Sequence, residues 1–228
     1  PIKGILIVNF SFWNFSFSNG NGGAVLWNGT GGKLIYCNFI NNSANYGGGV
    51  CWDANGINGI LIGCTFVGNF NVTSGGGVIW YGANGTIKDS TFENNYANAG
   101  GGGIRWIGTN GTLIDSTFIS NSAIYYGGAI SWSRNGFIVN CSFVNSKWIN
   151  SKYNGIHARE NLTINGGKGI VDTYIDGTLT GISIVVLNNE TYYYPPNTNI
   201  NFTDKFKTRE VGNDKIINRT YNYLSGNI

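Results

Sequence analysis

Asp89 and Asp115 are the residues in this chain whose type and spacing come nearest to a reaction centre. Each stands three positions before a phenylalanine, Phe92 and Phe118, so 26 residues separate them. If successive segments of that length stack as coils, equivalent backbone positions lie about 5 Å apart. Two carboxyls at roughly 5–5.5 Å suit a retaining glycosidase. Glu93 lies on the same strand but roughly 13 Å from Asp89 by strand rise. It cannot complete a tight cluster or a Ca²⁺ cage. The equivalent positions elsewhere hold Tyr36, Gly63 and Asn140. Such unlike neighbours read as variation on a solvent face, with catalysis by the Asp pair as the alternative.

The tryptophans offer a second kind of chemistry. Trp27, Trp52, Trp80, Trp106 and Trp132 recur at one place and could form an exposed aromatic ladder for stacking sugars. Val25, Val50, Val78, Ile104 and Ile130 lie two positions earlier, however, and residues i and i+2 of a strand share a face. The residue between them varies from Leu26 to Arg105 to Ser131, as a solvent position would. Parity therefore puts the Trp column on the core face, and an exposed ladder beyond a bend is the alternative.

Cys37 and Cys64 share an inward slot on neighbouring coils, within disulfide reach. Parallel stacking favours a reduced column. No CxxC spacing suggests zinc, and a single histidine, His157, argues against a metal site or a Ser-His triad. No metal and no cofactor is expected.

The element that positions all of these is a repeat. Phe12, Phe39, Phe66, Phe92, Phe118 and Phe143 are spaced by 27, 27, 26, 26 and 25 residues. A period of this size is the mark of a repeat architecture. Before each Phe runs Leu/Ile-x-x-Cys/Ser-x-Phe, as in Leu34, Cys37 and Phe39, read as one strand with the named residues inward. Three positions after the Phe come Asn42, Asn69, Asn95 and Asn121, placed to hydrogen-bond from coil to coil as stacked-strand ladders do. Each Trp is followed by an Asn-Gly turn, as at Asn28-Gly29 and Asn84-Gly85. One repeat thus has two clear strands and a third short one. A unit of about 26 residues cannot close a core alone. The sequence predicts an all-β, right-handed parallel β-helix of about 26-residue coils over residues 1–160.

Composition agrees. Thirty-six Gly, 14% aromatics and only 11% charged residues do not suit a helical protein. A hydrophobic share of 42% can bury a core. A net charge of +3 without Lys/Arg runs argues against nucleic acid. No apolar run could span a membrane, so no membrane insertion of this segment is expected. With no Met and a start at Pro1, the chain is expected to be part of a longer multidomain protein. Asn-x-Ser/Thr triplets at Asn14, Asn28, Asn71, Asn84, Asn110 and Asn161 would permit glycosylation on export.

Gly22–Val25, Gly47–Val50, Gly101–Ile104 and Gly127–Ile130 alternate with Phe39–Asn42, Phe66–Asn69, Phe92–Asn95 and Phe118–Asn121. These words resemble the GGA[IV] and FxxN repeats of chlamydial polymorphic outer membrane proteins. They also resemble the adhesin-like surface proteins of methanogenic archaea, over about residues 7–158. The resemblance implies a secreted or cell-surface β-helix whose partners are cell-surface glycans or proteins. Phe15 and Ser146 stand where the ladder Asn is expected, and Gly155–Ala158 lacks the Trp, as in capping coils.

From Ser151 onward lie 15 of the 25 charged residues. Residues 161–228 are expected to form a small β cap or the start of an immunoglobulin-like module. Strands are expected at Gly181–Leu187, Thr191–Tyr194 and Ile200–Phe206, a turn at Asn188-Asn189, and weak alternation over Ile216–Tyr223. The expected function is a non-catalytic adhesin-like module. Alternatives are a polysaccharide lyase or glycoside hydrolase on a β-helix, and a viral or phage fibre segment.

Overall fold

A computed structural model describes residues 5–144, 146–148, 156–158, 162–169, 171–175, 183–187, 190–194, 198–202 and 208–211. Among them every regular element is a strand. Through Val171–Ile175 the strands stack in parallel, in register apart from shifts on the second face, as a β-helix with three faces.

The first face carries the aliphatic and Phe columns. Leu34, Leu61, Ile87, Leu113 and Ile138 pair in register, as do Phe12, Phe39, Phe66, Phe92, Phe118 and Phe143. The single strand expected for Leu/Ile-x-x-Cys/Ser-x-Phe is instead two three-residue strands, such as Lys33–Ile35 and Asn38–Ile40. Strict alternation cannot turn both Leu34 and Cys37 inward, because they are three positions apart. A residue at positive φ between them breaks the alternation and corners the chain. The second face is short, as in Ser43–Tyr46 and Tyr96–Ala97. The third face carries Val25–Trp27, Val50–Trp52, Val78–Trp80, Ile104–Trp106 and Ile130–Trp132 in register, with Ile156–Ala158 below them.

Identical residues on successive coils become columns of contacts. Trp52, Trp80, Trp106 and Trp132 are fully buried, and Trp27 nearly so. Their rings stack at 4.3–5.0 Å with interplanar angles of 4–11°. The exposed-ladder alternative is overturned: these rings fill the interior. The Phe column stacks likewise, at 4.6–5.1 Å. Aromatic pairs of this kind contribute about 0.5–1.5 kcal/mol each beyond their burial. Trp27 Nε1 donates to Gly29 O at 3.1 Å. The other four indole nitrogens of the column find no acceptor among the described residues.

The glycine triplets entering the third face divide three tasks. Gly101 takes φ +68, and a Cβ there would lie 2.1 Å from Ile104 O. Gly102 lies against the next coil, where a Cβ would meet Gly128 O at 2.4 Å. At Gly103 a Cβ would meet Ala129 O of the next coil at 2.8 Å and the ring of Phe118 at 3.0 Å. Only this third slot holds Ala in other coils, at Ala24 and Ala129. The neighbouring backbone stands further off in the third slot, 2.8 Å from the Cβ position at Gly103 against 2.3 and 2.4 Å at Gly102. The Phe ring beside it can yield.

Beyond residue 160, Leu162–Gly169 pairs parallel with Gly136–Val144, and Val171–Ile175 with Ile156–Ala158. Ser183–Leu187 adds one more parallel strand. Pairing then turns antiparallel, at Glu190–Tyr194, Thr198–Phe202 and Thr208–Val211. The expected Asn188-Asn189 turn and the stretch Ile216–Tyr223 lie outside the described residues.

Gly102→Ala is expected to destabilise by about 3 kcal/mol, and Gly103→Ala by about 1 kcal/mol, at the two ends of the overpacking range. Urea unfolding of the two variants checks the order. Equal losses would contradict this division of tasks.

Candidate functional site

Asp89 and Asp115 stand at the corner that breaks the first face. The corner column runs Asn9, Tyr36, Gly63, Asp89, Asp115 and Asn140, all at φ between 47° and 60°. Asn, Asp and Gly are the residues that take this left-handed conformation most readily. Backbone geometry thus accounts for the carboxylates at these places without a catalytic requirement. Asp89 is ion-paired with Lys88 at 3.7 Å, and both side chains are exposed. Asp115 Oδ1 accepts from Asn140 Nδ2 at 2.7 Å. Glu93 Oε1 accepts from Asn94 Nδ2, at the next corner of the coil.

Asn42, Asn69, Asn95 and Asn121 are fully buried beside the Phe column. Asn69 Oδ1 accepts from both the backbone N and Nδ2 of Asn42, at 3.0 and 3.1 Å. Asn69 Nδ2 donates to Phe39 O at 2.8 Å and to Asn95 Oδ1 at 2.9 Å. Asn95 repeats all four bonds with its neighbours. Phe15, in the first ladder position, contributes its backbone N–H to Asn42 Oδ1 at 2.9 Å. A second, exposed amide ladder links Asn58, Asn84, Asn110 and Asn135. The acceptor triplets at Asn84 and Asn110 therefore carry amide nitrogens already engaged between coils.

All four cysteines are buried and free. Cys37 N donates to Cys64 Sγ at 3.3 Å, and Cys64 N to Ser90 Oγ at 3.2 Å, so thiol and hydroxyl do the same work in one column. Burial raises the Cys64 and Cys141 thiols to about 12, and burial together with Asp53 does the same for Cys51.

The structure corrects one reading on the third face. Its outward column was expected in solvent, yet Cys51, Ile79, Ser131 and His157 are buried. The covering groups come from a flanking residue, Tyr126, and from Arg105 of the column itself. Tyr126 packs against His157 with ring centroids 5.0 Å apart, and the Arg105 guanidinium donates to Ser131 Oγ. Tyr81 lies beside this strip, its hydroxyl pKa raised by burial and then by Cys51 and Tyr46. The sequence signal for this strip was a Tyr just before or after the third-face strand, at Tyr46, Tyr81 and Tyr126.

A mostly apolar depression of about 340 Å³ lies over the first coil, lined by Ile5, Ile7, Val25, Leu26 and Trp27. Asn28 and Gly29 also line it. Among the described residues no His, Cys, Asp and Glu side chains gather as metal ligands would. No described helix is long and apolar enough to cross a membrane.

Two stretches, residues 89–105 and 115–131, match the repeat of the Chlamydia polymorphic membrane proteins. Each begins at a corner Asp, passes the Phe and the buried Asn, and ends in the third-face strand. The chain therefore carries repeats of the polymorphic outer membrane protein type on two consecutive coils. No curated protein and no solved structure matches the chain.

The raised thiols set a pH dependence. A thiol at about 12 in the fold and 9.0 when unfolded keeps its proton in the fold while the unfolded chain loses its own. Stability from this source is full below pH 9 and falls as pH rises toward 12. A Cys51→Ser/Cys64→Ser/Cys141→Ser variant is expected to lose less stability over that window than the native chain. Parallel melting curves from pH 8 upward check this.

Proposed function

We propose that this chain is a non-catalytic, surface-displayed β-helix module that mediates adhesion to cells, glycans or proteins. The observation that carries the reading is the pair of polymorphic-membrane-protein repeats on consecutive coils, a repeat named for membrane proteins of Chlamydia. The likeness of the GGA[IV] and FxxN words to archaeal adhesin-like surface proteins supports the same reading.

The distribution of residue types fits it. Columns of one residue type, Phe, Trp, Asn and Leu/Ile, lie inside and build the stack. Apart from the buried strip through Cys51, Ile79 and Ser131, residues that change most from coil to coil lie on corners and outer faces, where a rod meets its partners. The two carboxylates best spaced for catalysis are held by corner geometry and paired with Lys88 and Asn140.

Beads coated with the chain should be retained on cell layers or surface glycans above beads coated with its denatured form. Reducing-end release and unsaturated-product release are followed in the same wells. Retention without product is the expected result. Product release that disappears in an Asp89→Asn/Asp115→Asn variant would overturn it in favour of a polysaccharide-active enzyme.

A further inference from the structure

Tyr36 is out of place in its own column. Among the described residues, the non-glycine positions at positive φ are Asn, Asp and Ser, with Tyr36 the one bulky exception, at φ 53. Asn, Asp and Gly fill every other corner of that column. A bulky residue held in this region is unfavourable, and such outliers gather at sites of function. The side chain gains little burial in return, since Tyr36 is 60% exposed.

The coil below accommodates its ring. A Cβ at Gly63 would lie 2.4 Å from both Cδ1 and Cε1 of Tyr36, so one ring edge rests where a Gly63 side chain would stand. At 60% exposed, most of the Tyr36 side chain stays in solvent despite this contact. Because the ring leans over Gly63, the next corner residue beyond it is Asp89, about 5 Å further along the stack. Lys88 lies against that carboxylate at 3.7 Å. Ile35 and Ile62 line one side of the ridge, and Thr65 and Thr91 the other.

We propose that this corner is a carbohydrate-binding site for an uncharged pyranose chain running along the helix axis. The apolar face of one sugar stacks on the Tyr36 ring, and Asp89 accepts hydroxyls of the neighbouring unit. An aromatic body with a polar neighbour matches a ligand that is apolar on its ring face and polar at its rim. Asp89 and Asp115 set two carboxylates against the one ammonium of Lys88 on this ridge, an excess that disfavours carboxylated or sulfated sugars relative to neutral ones. This inference rests on the adhesive reading and names a ligand class for it.

The test uses the whole chain with linear neutral hexasaccharides of glucose, mannose and galactose, and an oligogalacturonate of equal length. Binding is followed by titration calorimetry and by saturation transfer from the protein. At least one neutral chain should bind, with the acidic one weaker by at least about tenfold. Tyr36→Asn should lower that affinity at least about tenfold while melting at or above the native temperature, because Asn suits the corner. Tyr36→Phe should keep the affinity. Unchanged binding in Tyr36→Asn, a lowered melting temperature in it, or equal binding of the acidic chain would each overturn the site. So would failure of every neutral chain; cell retention surviving in the bead assay would then leave the adhesive reading standing.

Discussion

The buried asparagine ladder is the constraint on which the rest of the stack depends. Stacked rings and aliphatic columns oppose a one-residue slip because it would turn them outward, but within a register their attraction has no direction and tolerates small displacements. The amides of Asn42, Asn69, Asn95 and Asn121 are less tolerant. Asn69 and Asn95, in the middle of the ladder, each meet the backbone and side chain of the Asn above and the side chain of the Asn below. A slip of one residue would leave buried donors and acceptors without partners, and unmet polar groups are costly in an apolar interior. The ladder therefore fixes register, and fixed register brings Phe over Phe and Trp over Trp.

Register at the Phe column carries round the coil through the corners. Positive φ at Tyr36, Asp89 and Asp115 turns the chain between Leu/Ile and Phe, and positive φ at Asn41 and Asn94 turns it after the Phe. Glycine at Gly47, Gly75, Gly101 and Gly127 turns it again before the Trp strand. Because these corner side chains stay outside the core, their choice is limited by backbone conformation rather than by interior packing. That is how one scaffold can hold both a structural Asp and an outward Tyr at equivalent positions.

The interior was legible in the sequence because stacking demands the same residue at the same place. Phe39, Phe66, Phe92, Phe118 and Phe143 declare their column by identity alone, and so do the Asn residues three positions on. The corner was not legible for the opposite reason. Tyr36, Gly63, Asp89, Asp115 and Asn140 share a backbone conformation rather than a side-chain type, so they looked like solvent variation. The strip through Cys51, Ile79, Ser131 and His157 also looked exposed. Strand parity shows which way a residue points, but not that a flanking residue, Tyr126, covers it. The Trp column could be assigned by parity to the core because Val and Ile flank it.

The most direct measurement is the unfolding free energy of Asn95→Ala against Asn135→Ala, two amides in ladders that differ in burial. The buried ladder predicts a loss of about 3 kcal/mol or more for Asn95→Ala, since several buried groups lose partners. Asn135, in the exposed ladder, should cost no more than about 0.5 kcal/mol. Similar small losses for both would contradict the claim that the buried amides hold the coils in register.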